Sequence, residues 1–134
     1  MGERVSSENI AVVRTFVQAF QRDDLDAVAE TLDSQVELAE WPDGPEARTY
    51  HGRDGVREAV ANWRESWERM EVEIAELTEV GDRVLVTLDQ RFTGKESGLE
   101  MAITSTNVFT VRDSRISRIQ LFTNRDAALA AARA

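Results

Sequence analysis

Asp89 and Arg91 are the two residues whose types and spacing most suggest chemistry. They stand two positions apart in segment 84–92, where apolar and polar residues alternate as in a β-strand. Because successive side chains of a strand point to opposite faces, both charges fall on one face, opposite Val84, Val86, Leu88 and Phe92. If that face lines a pocket, Arg91 keeps Asp89 ionised and orients it as a general base. If it faces water, the two side chains form a solvated surface pair without function.

His51, the single histidine of the sequence, is the second candidate for proton transfer. An imidazole gains and loses a proton near neutral pH, so it could return a proton from the mouth of a pocket. The alternative is a surface or helix-capping residue, since His51 precedes Gly52 at the expected start of a helix. The sequence has no cysteine and no pair of metal ligands four apart on a helix, so we expect neither a metal site nor a cofactor.

Aromatic and amide side chains stand where they could line a pocket. Trp63 and Trp67 lie in segment 53–70, whose apolar residues repeat at spacings of four and three and share one helix face. Both rings are either core residues or a flat wall for an apolar ligand. Asn107, which precedes the apolar Val108 and Phe109 in a central strand, needs a partner in the core or in the pocket. The residues predicted to line the pocket are Trp41, Trp63, Trp67, Asn107, Gln120, Phe122 and Asn124.

Helical periodicity fills the first part of the chain and strand periodicity the second. The pattern predicts helices near residues 8–20, 24–32 and 53–70, a strand at 35–41 and a loop at 42–45. After residue 71 the period becomes two and predicts strands at 72–80, 84–92, 99–111 and 116–123, followed by a helix at 127–132. Tight turns at Gly81-Asp82, with type II′ expected, and at Asp113-Ser114 join the late strands into a meander. Helices followed by strands predict an α+β fold.

Length and charge limit the class of protein. The 134 residues suffice for one domain, 1–134, and leave little room for a second. The formal net charge of −9 argues against a nucleic-acid partner, because phosphate binding needs a basic face. No apolar run approaches the roughly 20 residues of a membrane span. The first seven residues also lack the apolar segment of a secretory signal. We therefore expect a cytoplasmic protein with no membrane partner.

Several motifs together resemble the SnoaL-like group of the nuclear transport factor 2-like superfamily. They are Tyr50-His51-Gly52-Arg53 ahead of a helix, Gly81-Asp82-Arg83-Val84 at a hairpin, Ser97-Gly98, and Phe122-Thr123-Asn124-Arg125 ahead of an Ala-Leu helix. The resemblance covers nearly the whole chain and implies a strongly curved antiparallel sheet that forms a cone lined by helices. The superfamily includes polyketide cyclases, steroid isomerases, epoxide hydrolases, dehydratases and binding modules. The resemblance therefore implies a pocket but no particular reaction.

Two comparisons with that superfamily bear on the chemistry. Its epoxide hydrolases use an Arg and an Asp that stand two positions apart on a strand. Asp89 and Arg91 are similar to this pair, but here the Asp comes first. Many relatives carry Asp where this chain has Asn124, and Asn cannot act as an acid or base.

Three functions remain open. The first is an isomerase, cyclase, dehydratase or hydrolase that moves protons on a small, mostly apolar organic molecule. The others are a binding module with the same pocket and an interaction domain that works through its sheet.

A homodimer is expected from the apolar residues on both faces of the late strands. Leu85 alternates with Val84, and Leu121 alternates with Phe122, so neither face of the sheet is purely polar. One face meets the helices, and the other exposes an apolar patch unless a second copy covers it. The resemblance implies the same arrangement, since members of the superfamily often dimerise through this sheet.

Overall fold

The protein folds as four helices on a six-stranded sheet. The structure, a computed structural model, describes residues 2–40 and 48–134. The helices are α1 Gly2–Gln21, α2 Leu25–Glu30, α3 Gly52–Ser66 and α4 Arg125–Arg133. The strands are β1 Leu32–Glu40, β2 Arg48–His51, β3 Arg69–Val80, β4 Arg83–Thr93, β5 Glu100–Arg112 and β6 Arg115–Phe122.

The sheet is curved and open, with the strand order β2-β1-β6-β5-β4-β3. Neighbouring strands are antiparallel except β1 and β6, which run parallel. The strands β3 to β6 form the expected meander, and β1 with its short partner β2 extends the sheet beyond β6. The predicted α+β fold is therefore confirmed.

Turn chemistry sets the register of the meander. Gly81 has a φ of +63°, and Asp82, the second turn residue, has no positive φ, as a type II′ turn requires. In the next tight turn both central residues, Asp113 and Ser114, have positive φ values of 52° and 63°. That pattern defines a type I′ turn, whose backbone twist matches the right-handed twist of the strands it joins.

Helix α1 begins at Gly2, earlier than the sequence predicts, and three further differences from the sequence expectation involve the sheet. Helix α3 ends at Ser66, because Trp67 adopts an extended backbone and Met70 already pairs with Phe92 in the sheet. Strand β1 begins at Leu32, which was expected in the second helix. Strand β2 was not predicted, since four residues are too few to show a period. In these three cases hydrogen bonding to a neighbouring strand overrides the local pattern.

The two faces of the sheet are covered by different helices. On the inner face, α1, α2 and α3 bury the main core, which includes Val13, Phe16, Val56, Val84, Val86 and Phe109. On the outer face, α4 packs its alanines on a smaller cluster that contains Leu85, Val108 and Phe122. The apolar outer residues behind the expected dimer are thus covered within the chain. Among the described residues, the large hydrophobic side chains left exposed are Leu99 and Met101.

Arg83 fastens α4 to the outer face. Its Nη1 donates hydrogen bonds to the carbonyl oxygens of Ala131, Ala132 and Ala134 at the end of that helix. Carbonyl groups of the last helical turn have no partner within the helix, and a cation there also interacts favourably with the helix dipole. Arg83 therefore satisfies the C-terminus of α4 and fixes its position on the sheet.

Replacing Arg83 by Met is expected to lower the free energy of unfolding by about 1–2 kcal/mol, because hydrogen bonds from a charged donor are lost. Arg112→Met is the matched control, since Arg112 ends the neighbouring strand β5 and makes an exposed ion pair with Asp82 at 3.5 Å. Urea unfolding measures both variants, and hydrogen exchange should show faster exchange confined to α4 in Arg83→Met. Equal stability losses in the two variants would contradict this role.

Candidate functional site

A cavity of about 330 Å³ lies between the helices and the inner face of the sheet. Its wall is mainly apolar and comes from α1, the C-terminal part of α3 and five strands. The lining residues are Phe16, Val17, Phe20, Leu38, Glu40, Trp63, Trp67, Met70, Val72, Leu88, Gln90, Phe92, Ile103, Asn107, Phe109, Ile119 and Leu121. A wall of this composition favours an apolar ligand with few polar groups.

Aromatic rings form one side of the cavity. The ring of Trp63 packs on Phe20, with 6.3 Å between centroids. The ring of Trp67 packs on Phe92, with 5.0 Å between centroids. Rings held by such tilted contacts offer a flat apolar surface at fixed positions. Trp63 and Trp67 thus both border the cavity, as the helical spacing predicted for them, while their role toward a ligand stays a prediction.

Glu40 brings a carboxylate to the cavity. It ends strand β1, and its Oε2 accepts a hydrogen bond of 2.6 Å from the indole nitrogen of Trp63. This bond joins the end of β1 to α3 across the cavity wall and fixes the carboxylate against an aromatic ring. A fixed carboxylate at an apolar pocket can bind a donor or accept a proton.

A second polar group sits deeper, on the central strands. Ser105 Oγ accepts a hydrogen bond of 2.6 Å from Gln90 Nε2 and a longer one of 3.4 Å from Asn107 Nδ2. Ser105 and Asn107 are 1% and 2% exposed, so both polar side chains are shielded from bulk water. The other amide atom, Asn107 Oδ1, is buried and has no hydrogen-bond partner among residues 2–40 and 48–134. Buried polar atoms are rarely left in that state.

The strand register relates these polar groups in space. Leu121 pairs with Glu40 on one side and with Asn107 on the other, so the three residues form one row across the inner face. Glu40 and Asn107 are therefore two strand spacings apart, about 10 Å. A ligand in the cavity can meet both ends of this row.

Arg64 holds the backbone of two wall residues. Its guanidinium donates hydrogen bonds to the carbonyl oxygens of Phe20 and Met70 and stacks on the Phe20 ring. Asp23 approaches the same guanidinium, with 3.3 Å between its Oδ1 and Arg64 Nε. One half-buried cation thereby ties the end of α1 and the start of β3 to α3, which keeps the walls of the cavity together.

The expectation that Asp89 and Arg91 line the pocket is corrected. Both side chains are exposed on the outer face of β4, where Asp89 accepts a hydrogen bond from Thr104 and Arg91 pairs with Glu100. Alternation itself explains the placement, since the helices cover the face that carries the apolar residues of β4. The polar residue that shares that inner face is Gln90.

His51 also lies away from the cavity lining. Its side chain is 73% exposed and approaches Glu37, with 3.9 Å between Nδ1 and the carboxylate. It stands at the N-terminus of α3 without a side-chain capping bond. The placement corresponds to the surface alternative considered for this residue.

The remaining predicted lining residues divide between the two faces. Asn107 borders the cavity. Gln120 pairs with Val108 of the outer cluster, and cross-strand partners share a face, so Gln120 points outward. Phe122 packs beneath α4, and Asn124 caps that helix by accepting a 3.1 Å hydrogen bond from the Ala127 amide. These three predictions are corrected, because α4 covers the outer face. Trp41 lies outside the described residues.

Sequence reasoning missed Glu40 and Gln90. Both signals were present, since Glu40 follows Leu38 by two positions and Gln90 stands between Leu88 and Phe92 in an alternating strand. Each is the polar residue of an otherwise apolar inner face. Within the described ranges 2–40 and 48–134, no group of three or more potential metal ligands occurs. Among the helices of the same ranges, none has the length and apolarity needed to cross a membrane.

The curved, open sheet packed by helices defines a class of α+β domains, and the family match specifies it. Residues 13–119 match the model of the SnoaL-like domain, so the chain belongs to the SnoaL-like domain family. No protein in the curated set matches the sequence significantly.

Solved structures of the same fold cover nearly the full chain. A protein of unknown function from Burkholderia pseudomallei K96243, described as NTF2-like, has 24% identity and a TM-score of 0.78, covering 95% of this chain and 98% of its own. TerC, co-crystallised with polyporic acid, has 19% identity and a TM-score of 0.77, with coverage of 95% and 99%. A candidate SnoaL-like polyketide cyclase from Jannaschia sp. CCS1 has 20% identity and a TM-score of 0.77, with coverage of 96% and 93%. At these identities the likeness shows the fold.

Proposed function

We propose that the protein binds a small, mainly apolar organic molecule in the cavity between its helices and its sheet. The observation that carries the proposal is the cavity itself, about 330 Å³ with an aromatic wall and three polar lining residues, Glu40, Gln90 and Asn107. Sites for small organic molecules have this character: concave, mostly apolar, and polar at a few points that fix orientation.

Two further facts support a ligand rather than a filled core. Trp63 and Met70 are only partly buried although they pack against the main core, so the cavity leaves apolar surface in contact with solvent. Each Å² of such surface that a ligand covers contributes about 25 cal/mol. TerC, which shares the fold, was co-crystallised with polyporic acid, an organic molecule.

Filling the cavity from within is expected to abolish binding. Ile103 lines the cavity, and Ile103→Trp places a large ring into it, so affinity for apolar probes should fall more than about tenfold. Asn62→Trp is the control, because Asn62 is exposed on α3. Calorimetry with a naphthalene series and polyporic acid measures both variants beside the native protein. Absence of binding by the native protein to every probe would refute the proposed function.

A second function, proton transfer on the bound molecule, is favoured by one observation. Glu40 places a carboxylate in the apolar cavity and is oriented by the indole N–H of Trp63. An isomerase, cyclase, dehydratase or hydrolase needs such a group within reach of the reacting atoms. In this proposal Glu40, and not Asp89, is the general base, and Gln90 and Asn107 orient the substrate.

A general-base probe tests this role without knowledge of the natural substrate. The base removes the ring C–H proton of 5-nitrobenzisoxazole while the N–O bond breaks, which gives a coloured cyanophenolate. Glu40→Gln should reduce this turnover by at least about 100-fold, because the amide keeps the shape but not the base. Asp89→Asn, on the outer face, should leave it unchanged. Loss of turnover in Asp89→Asn with full activity in Glu40→Gln would restore the original assignment, with Arg91 and His51 as its partners.

We also propose that two copies associate through the outer face of β3, β4 and β5. α4 covers the end of this face that holds Leu85 and leaves the other end open. The open end carries side chains of both charges, including Glu71, Glu73, Asp89 and Arg91 beside Thr104. A surface with both signs of charge can match its own copy across a two-fold axis.

Light scattering at micromolar concentration is expected to give twice the mass of one chain. Thr104→Glu, which adds a fourth carboxylate to the open outer surface, should shift the protein toward the monomer by like-charge repulsion, whereas the exposed α3 variant Asn62→Glu should not. A single-chain mass for the native protein would eliminate the dimer and leave the cavity proposals untouched.

A further inference from the structure

We infer that the ligand carries a hydrogen-bond donor, a neutral hydroxyl or N–H, at the end that binds against Asn107. The inference rests on the proposed binding function and names the chemical class of ligand. Asn107 is then the residue that determines specificity, because it distinguishes an alcohol, phenol or amide N–H from an apolar or acceptor-only group at that end.

The position of Asn107 makes its amide costly to bury. It lies in the central strand β5, where it pairs with Val86 on one side and Leu121 on the other. Its side chain borders the cavity and is 2% exposed. An amide in such surroundings costs free energy unless both of its ends form hydrogen bonds, so the residue has no packing advantage over Leu.

The nitrogen end of the Asn107 amide already has a hydrogen-bond partner. Asn107 Nδ2 approaches Ser105 Oγ at 3.4 Å, and the same oxygen accepts the shorter bond from Gln90 Nε2. The hydroxyl of Ser105 therefore faces two N–H donors and holds the nitrogen end of Asn107. The oxygen end, Oδ1, is buried and receives no hydrogen bond from any residue that the structure describes.

The amide oxygen of Asn107 can be satisfied only by a group that donates a hydrogen bond. A carbonyl oxygen accepts hydrogen bonds and donates none, so a ketone, ether or carboxylate placed against it is repelled. An alkyl group leaves it desolvated, and a charged ammonium needs compensation that a neutral amide does not supply. The carboxylate of Glu40, whose backbone lies two strands away on the same row, is the better partner for a cation. A neutral donor remains as the group that Asn107 selects.

Binding of a matched pair of probes tests the selection. The probes are 2-naphthol and 2-methoxynaphthalene, which share a ring system but differ in the donor. The native protein is expected to prefer 2-naphthol about five- to tenfold, the usual effect of one hydrogen bond. Asn107→Leu should lose this preference, and Asn62→Leu should keep it. Comparing the two probes in both proteins by calorimetry cancels their difference in hydration.

Stability of the ligand-free protein gives an independent reading. Asn107→Leu removes the unpartnered oxygen and keeps the volume, so the melting temperature should rise by a few degrees. A lower melting temperature would show that the amide is satisfied within the protein and would overturn the inference. Equal binding of both probes by the native protein, or tighter binding of the methyl ether, would also overturn it while leaving the binding function intact. If neither probe nor any other member of the naphthalene series binds, the proposed function fails together with the inference.

Discussion

The alternation of side chains along β3 to β6 is the constraint on which the rest of this structure depends. The inner face is covered by α1 to α3, and α4 covers one end of the outer face. Each strand residue therefore lies either toward the main core and the cavity or on an outer face that is apolar only beneath α4. A shift of one residue in any strand would exchange the two sets. It would move Asn107 and Gln90 out of the cavity and place the outer-face charges of β4 inside it. The tight turns that fix the register thus also fix the chemistry of the cavity.

Polar groups in the cavity are few, and each is supported differently. Glu40 relies on an indole N–H from a helix, so its orientation depends on how α3 packs on the sheet. Gln90 and Asn107 rely on Ser105, which lies on the same sheet, so their arrangement is set by strand geometry alone. The Glu40 end of the site therefore depends on how a helix packs, whereas the Asn107 end depends on the sheet alone. This division suits a pocket that fixes one end of a ligand and tolerates variation at the other.

The fold could be predicted from the sequence because short-range patterns determine its helices, strands and turns. Periodicity gave the order of helices and strands, and Gly81 and Asp113 marked the turns correctly. The site was predicted only in part. Trp63, Trp67 and Asn107 border the cavity, but the sequence did not show which face of β4 the helices cover, and so Asp89 was placed inward. The same ambiguity misplaced Gln120 and Phe122, because nothing local reveals that α4 returns to the outer face. Asp89 was the predicted base because it is charged, whereas the alternation around Gln90 indicates a polar side chain on the inner face.

The parallel pairing of β1 with β6 has a consequence for how the molecule forms. The two strands are separated in sequence by the whole of β2, α3, β3, β4 and β5, yet Glu40 pairs with Leu121 and the Ile116 amide bonds to the carbonyl of Thr31. Hairpins of the meander need only short loops to close, whereas this pairing requires the ends of a long chain segment to meet. We therefore expect β3 to β6 to assemble early during folding and β1 to dock late. Because Leu38 and Glu40 of β1 line the cavity, the wall of the cavity is completed only in this late step.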